Sequence, residues 1–141
     1  MPLTLNMKTI DELIADLRRD NNTTYQAVLE LQARVNPDVV NEQIVNEFIE
    51  LLEHENPMVR ECSAVALGRI GDPRAIAPLI RTLGDPYDDY EWRIAIQASN
   101  ALVKIGEPAV RLLIDALNHP DENVRAGAAQ TLKRVKDKPG E

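Results

Sequence analysis

Apolar residues return every three or four positions along most of the chain, and nowhere do they alternate with polar ones for long. That spacing predicts amphipathic helices rather than half-buried strands. Ile10, Leu13, Ile14 and Leu17 make one stripe, Ala27, Val28, Leu31 and Val35 the next, and Phe48, Ile49, Leu51 and Leu52 another. Between stripes stand residues that stop one helix and cap its successor: Asp20-Asn21-Asn22-Thr23, Asn36-Pro37, Asn56-Pro57, Asp85-Pro86 and Pro120-Asp121. Gly71 and Gly106, with Pro73 and Pro108 just beyond, read as helix ends.

The stripes repeat. Segments starting at Phe48, Leu79 and Leu112 align so that Leu52, Leu83 and Leu117 share one column. Val59, Ile94 and Val124 share a second, and Leu67, Leu102 and Leu132 a third. The first two columns are 7, 11 and 7 residues apart, and the second and third are 8 apart each time. The middle unit therefore carries four extra residues between its helices, since 11 − 7 = 4, and is otherwise in register. Each unit reads as a helical hairpin. Small residues in its second helix (Ala64 and Ala66, Ala98 and Ala101, Ala128 and Ala129) let neighbouring helices approach within about 8–10 Å. Such units cannot hide their apolar sides singly, so they must stack.

Composition agrees. Apolar residues supply 44% of the 141 positions but aromatics only 4%, so Leu, Ile, Val and Ala must fill the core. The single cysteine, Cys62, has no partner for a disulfide, which suits a reducing cytoplasm. The N-terminus lacks the apolar core of a signal peptide. No apolar run approaches the roughly 18 residues of a membrane helix. The net charge of −7 falls entirely in residues 1–56, which hold four basic side chains against eleven acidic ones. Residues 57–141 hold twelve of each. An acidic N-terminal part disfavours nucleic acid as a partner. The plainer consequence is a solvated face that aids solubility.

The strings NPMVRECSAVALGRIGDPRAIAPLI and HPDENVRAGAAQTL resemble HEAT repeats, in particular the short bacterial and archaeal type found in phycobilisome bilin lyases. The resemblance covers residues 44–136, about two thirds of the chain. It implies an all-α fold, a right-handed α-solenoid of about four hairpins forming one domain over residues 1–141. The pairs are expected at 38–70, 73–105 and 107–136, preceded by a degenerate capping repeat at 8–35 and followed by a frayed tail at 137–141. Arg60 and Arg125 match the repeat's own arginine, which bonds within the turns of the family. The third unit has Ala95 there, with Arg93 two residues early, so either Arg93 substitutes or the ladder breaks.

In arrays of this family the second helices line a concave side. Subtracting the apolar columns leaves Glu61, Cys62, Val65 and Arg69 facing it, then Ile96, Gln97, Asn100 and Lys104, then Ala126, Gly127, Gln130 and Arg134. Arg69, Lys104 and Arg134 occupy one repeat position. They would either offset helix dipoles, worth about 0.3–1 kcal/mol each, or form an edge that captures an acidic segment. The inserted loop adds Tyr87, Tyr90 and Trp92, residue types that dominate interface hot spots. Trp92 could instead pack over its hairpin end, as Trp does in HEAT-like repeats.

No catalytic set converges in the sequence. His54 and His119 sit in equivalent turns without ligand spacing, and no second Cys supports zinc. His54-Glu55 is similar to the His-Glu pairs of deoxyhypusine hydroxylase, a HEAT-like di-iron enzyme. That family carries several pairs on helices, whereas this chain has one in a turn, so no metal or cofactor is expected. The expected function is non-catalytic: a cytoplasmic adaptor or scaffold, monomeric or weakly homodimeric, that binds another protein but neither nucleic acid nor membrane. The alternative implied by the resemblance is a component of a bilin lyase or of a phycobiliprotein chromophore-detachment system.

Overall fold

The computed structural model describes residues 7–87 and 93–137. Eight α-helices lie among them: α1 (Ile10–Arg19), α2 (Thr24–Arg34), α3 (Glu42–Leu51), α4 (Pro57–Ile70), α5 (Ile76–Thr82), α6 (Ile94–Ile105), α7 (Val110–Asp115) and α8 (Glu122–Asp137). The predicted tail beyond Asp137 lies outside the described residues, and Asp137 itself is helical.

Local chemistry sets the helix ends. Thr9 accepts the Glu12 backbone N–H at 3.1 Å, while the Glu12 carboxylate accepts the Thr9 N–H at 2.7 Å. This reciprocal pair satisfies two donors that the start of α1 would otherwise leave open. The turns share a simpler device. Asn36, Asn56, Asp72, Asp85 and Asp121 each accept, through the side-chain oxygen, the N–H two residues on, at 2.8–3.0 Å. Their short side chains can mimic a backbone turn. At the far ends of α4 and α6, Gly71 and Gly106 adopt φ of 75° and 79°, where a side chain would be strained.

The helices pair as hairpins, α1 with α2, α3 with α4, α5 with α6 and α7 with α8, and the second helices pack in succession from α2 through α4 and α6 to α8. One apolar core runs from Ile10 to Leu132. It is filled chiefly by aliphatic side chains such as Leu13, Leu31, Leu67, Leu79, Leu102 and Leu113, all fully buried, each worth about 1.5–3 kcal/mol in removal from water. This is an α-solenoid. Polar links fasten successive layers. Arg60 donates to the backbone oxygens of His54 and Glu55 within its own hairpin and pairs with Asp85 of the next at 2.7 Å. Arg125 makes the same two turn contacts, to His119 and Pro120. Part of the N-terminal acidity is absorbed here too, since Arg18 reaches Glu47 and Glu50, and Arg74 reaches Glu42.

Two columns are buried throughout: Val59, Ile94 and Val124, and Leu67, Leu102 and Leu132. The column of Leu52, Leu83 and Leu117 departs from expectation. Leu52 and Leu83 are 5% and 4% exposed, but Leu117 is 39% exposed. No helix pair follows α7 and α8 among the described residues, so the neighbour that would bury Leu117 is missing there.

Candidate functional site

The second helices present one side to their neighbours and core and another to solvent. On α4 the solvent side carries Arg69, with Val65 and Glu61 half-buried; on α6 it carries Ile96 and Lys104, and on α8 Ala126, Gln130 and Arg134. One member of the predicted set does not belong there. Cys62 is fully buried, packed within the apolar core. Subtracting the apolar columns places Cys62 on the solvent side only because it lies outside those columns. Gly127 is half-buried on that side, with Leu83 Cβ 3.0 Å from where its own Cβ would stand.

Between α6 and α8 the face opens into a cleft of ≈ 420 Å³. Leu83, Ile96, Ala126 and Gly127 give it an apolar lining, and Tyr87, Gln130 and Arg134 stand around it. The Arg134 guanidinium donates to Asn100 Oδ1 at 2.8 Å and to Ser99 Oγ at 2.9 Å. Asn100 in turn donates to Gln97 Oε1 at 3.3 Å, and Ser99 bonds the buried Thr131 hydroxyl at 2.7 Å. Gln97, Asn100 and Arg134, predicted separately, thus form one polar network across two helices. Arg134 is a tie between layers as well as a surface cation.

Arg69 and Lys104 are exposed and stand apart from that network. Tyr87 is exposed, with its N–H donating to Asp85 Oδ1 at 3.0 Å. Tyr90 and Trp92 lie outside the described residues. Two side chains went unnoticed in the sequence: Tyr25, 58% exposed, and Leu29, also exposed, one turn apart on α2. Setting Leu31 in register with Leu67 puts them in the rows of Glu61 and Val65. The signal was available, because both fall off the buried Ala27, Val28, Leu31 and Val35 stripe.

The titratable groups are placed for structure. Nδ1 of His54 accepts the Asn56 N–H at 3.0 Å, and Nδ1 of His119 accepts the Asp121 N–H at 2.9 Å, the same turn contact twice. Burial, helped by the nearby Glu61 charge, pushes the Cys62 thiol up to about 12. Partial burial also raises the Glu61 carboxyl above its ordinary range, opposed by the Arg93 N–H it accepts at 3.2 Å. Among the described residues no three His, Cys, Asp or Glu side chains gather where they could hold a metal ion. Nor is any described helix long and apolar enough to cross a membrane.

The sequence matches the family model described as HEAT repeats over residues 10–98 and again over 87–140. The match begins within α1, so it takes in the N-terminal hairpin, whose sequence departs most from the repeat pattern. It is to HEAT repeats at large and does not single out the phycobilisome lyase type. None of the curated proteins matches the chain. Among solved structures, human deoxyhypusine hydroxylase in complex with glycerol is similar, with a TM-score of 0.61 and 17% identity. The similarity covers 94% of this chain and 47% of that one, so the chain spans about half that protein's length. At this identity the likeness concerns the fold.

Proposed function

This chain belongs to the HEAT repeat family, and we propose that it holds a segment of another protein on the solvent side of its second helices without catalysing a reaction. HEAT repeats commonly mediate protein–protein interaction. The observation that carries the reading is the α6–α8 cleft, where an apolar lining adjoins the Gln130 and Arg134 side chains. Exposed Tyr25, Leu29 and Ile96 continue the apolar character along the same layer. Arg69 and Lys104 are exposed cations at one repeat position on α4 and α6. A segment with apolar anchors and acidic residues on one flank complements that surface, because cations select partners and speed their encounter while apolar contact holds them.

The non-catalytic part of the proposal draws on the placement of the reactive groups. The histidines serve turns, and Cys62 is sealed in the core. The test uses a photo-crosslinker at Ile96 to capture the partner, followed by affinity measurement with the purified partner. Arg69→Glu with Lys104→Glu should weaken binding at least tenfold, whereas Arg81→Glu, exposed on α5, should not. Arg134 is left intact, because reversing it would also break its bonds to α6. Binding that survives the double reversal and Ile96→Asp would place the partner elsewhere and end this reading.

A further inference from the structure

The last hairpin leaves bare a row of side chains that the same fold covers in the preceding hairpins. Repeat register aligns Val45, Ile49 and Leu52 of α3 with Ile76, Ile80 and Leu83 of α5, and with Val110, Ile114 and Leu117 around α7. All three are buried in the α5 row, where Leu83 lies against Gly127 of the following hairpin. In the α3 row Val45 and Leu52 are buried, and Ile49 packs half-buried on the core. In the α7 row Val110 is half-buried, Leu117 is exposed and Ile114 is 46% exposed.

The α8 half of this end differs. Its counterparts of Ala64 and Gly68 are Ala129 and Lys133, both exposed. Gly68 is what lets α6 close on α4, since a Cβ there would stand 2.8 Å from Ala101. Lys133 thus stands on α8 where α4 carries the glycine that α6 closes on. The bare apolar row is therefore confined to α7 and the turn after it.

A row of this kind favours an apolar counterpart. The hollow at the opposite end of the array offers none, being lined largely by polar side chains, among them Lys8, Asp16, Gln26 and Glu30. A second α7 does. Arg111 and Asp115 are exposed on α7, four residues apart and flanking Ile114. Two such helices crossed antiparallel about a two-fold axis bring each Arg111 opposite the other chain's Asp115, whereas a parallel crossing brings like charges together. We propose that a second copy of this chain docks here, α7 against α7, with Ile114 and Leu117 at the centre and the Arg111–Asp115 pairs at the rim. The row is small beside the about 800 Å² per partner of a standard interface, so the dimer is weak.

Sedimentation velocity from micromolar to millimolar concentration reads this directly, and it is independent of any partner on the second-helix face. The wild type should pass from monomer to dimer. Leu117→Asp should raise the dimer Kd about tenfold or more while leaving circular dichroism unchanged. Arg111→Asp and Asp115→Arg should each weaken the dimer, and the double swap should restore it. Because both charges are exposed, that swap decides the matter even if Leu117→Asp misfolds. A wild type that stays monomeric, assemblies beyond two copies, a dimer indifferent to a folded Leu117→Asp, or a double swap that restores nothing would each overturn the proposal.

Discussion

Gly68 of α4 lies against Ala101 of α6 with no room for a side chain: an added Cβ would stand 2.8 Å from both Ala101 Cα and Ala101 Cβ. The nearest atoms include backbone, which cannot swing aside as a flexible side chain could. Alanine is the better helix former by about 1 kcal/mol, but overpacking costs about 1–3 kcal/mol. At this separation the clash wins. Gly68→Ala should lower unfolding stability by about 1 kcal/mol net, read by denaturant titration. A stabilised variant would mean that α4 and α6 stand further apart.

Members of the repeat columns should respond differently to truncation. Leu67 and Leu102 are fully buried, so Leu67→Ala or Leu102→Ala should cost about 2–5 kcal/mol. Leu117 is exposed, and Leu117→Ala in dilute monomer should stay within about 0.5 kcal/mol of wild type. Equal losses at all three would remove the distinction between covered and uncovered layers.

The Cys62 thiol is sealed in the core, with burial pushing it up to about 12. At neutral pH almost no thiolate is present, and reagent cannot reach it without local opening of the core. An aromatic disulfide reagent should therefore label native protein slowly and unfolded protein fast. Rapid labelling of the native chain would show α4 turned from the position described.

Glu61 provides a pH test. Its carboxyl is raised from 4.5 chiefly by burial, so the folded chain holds the proton more tightly than the unfolded one. The stability this gives is present below about 4.5 and is lost as pH climbs through the raised folded value. Glu61→Gln keeps an acceptor for the Arg93 N–H and cannot ionise. Its melting temperature should therefore gain on wild type as pH rises across that interval. A difference that stays flat with pH would show the carboxylate to be as well solvated folded as unfolded.

Helices, turns and repeat register were legible because each is a local matter. The stripes from Ile10 to Leu17 and from Ala27 to Val35, the Asn and Asp acceptors of the turns, and the glycines at 71 and 106 act through atoms a few residues away. Register then followed from periodicity, since equal spacings between Val59 and Leu67, Ile94 and Leu102, and Val124 and Leu132 describe equal hairpins. The surface was less legible. Subtraction of columns puts Cys62 at the surface and passes over Tyr25 and Leu29, because which side of a second helix is covered depends on the neighbouring hairpin. A single hairpin's pattern does not contain that information.

By itself, then, the amino-acid order determined that the chain folds as repeated helical hairpins in a common register, for hydrogen bonds and apolar stripes a turn apart suffice to specify them. Tertiary structure alone decided that Arg134 is tied to Asn100, that Gly68 is pressed on Ala101, and that Leu117 stands bare where Leu52 and Leu83 are covered. Each of those depends on groups about 30 residues or more apart in sequence, brought into contact, or left without it, by the stacking of one hairpin on the next.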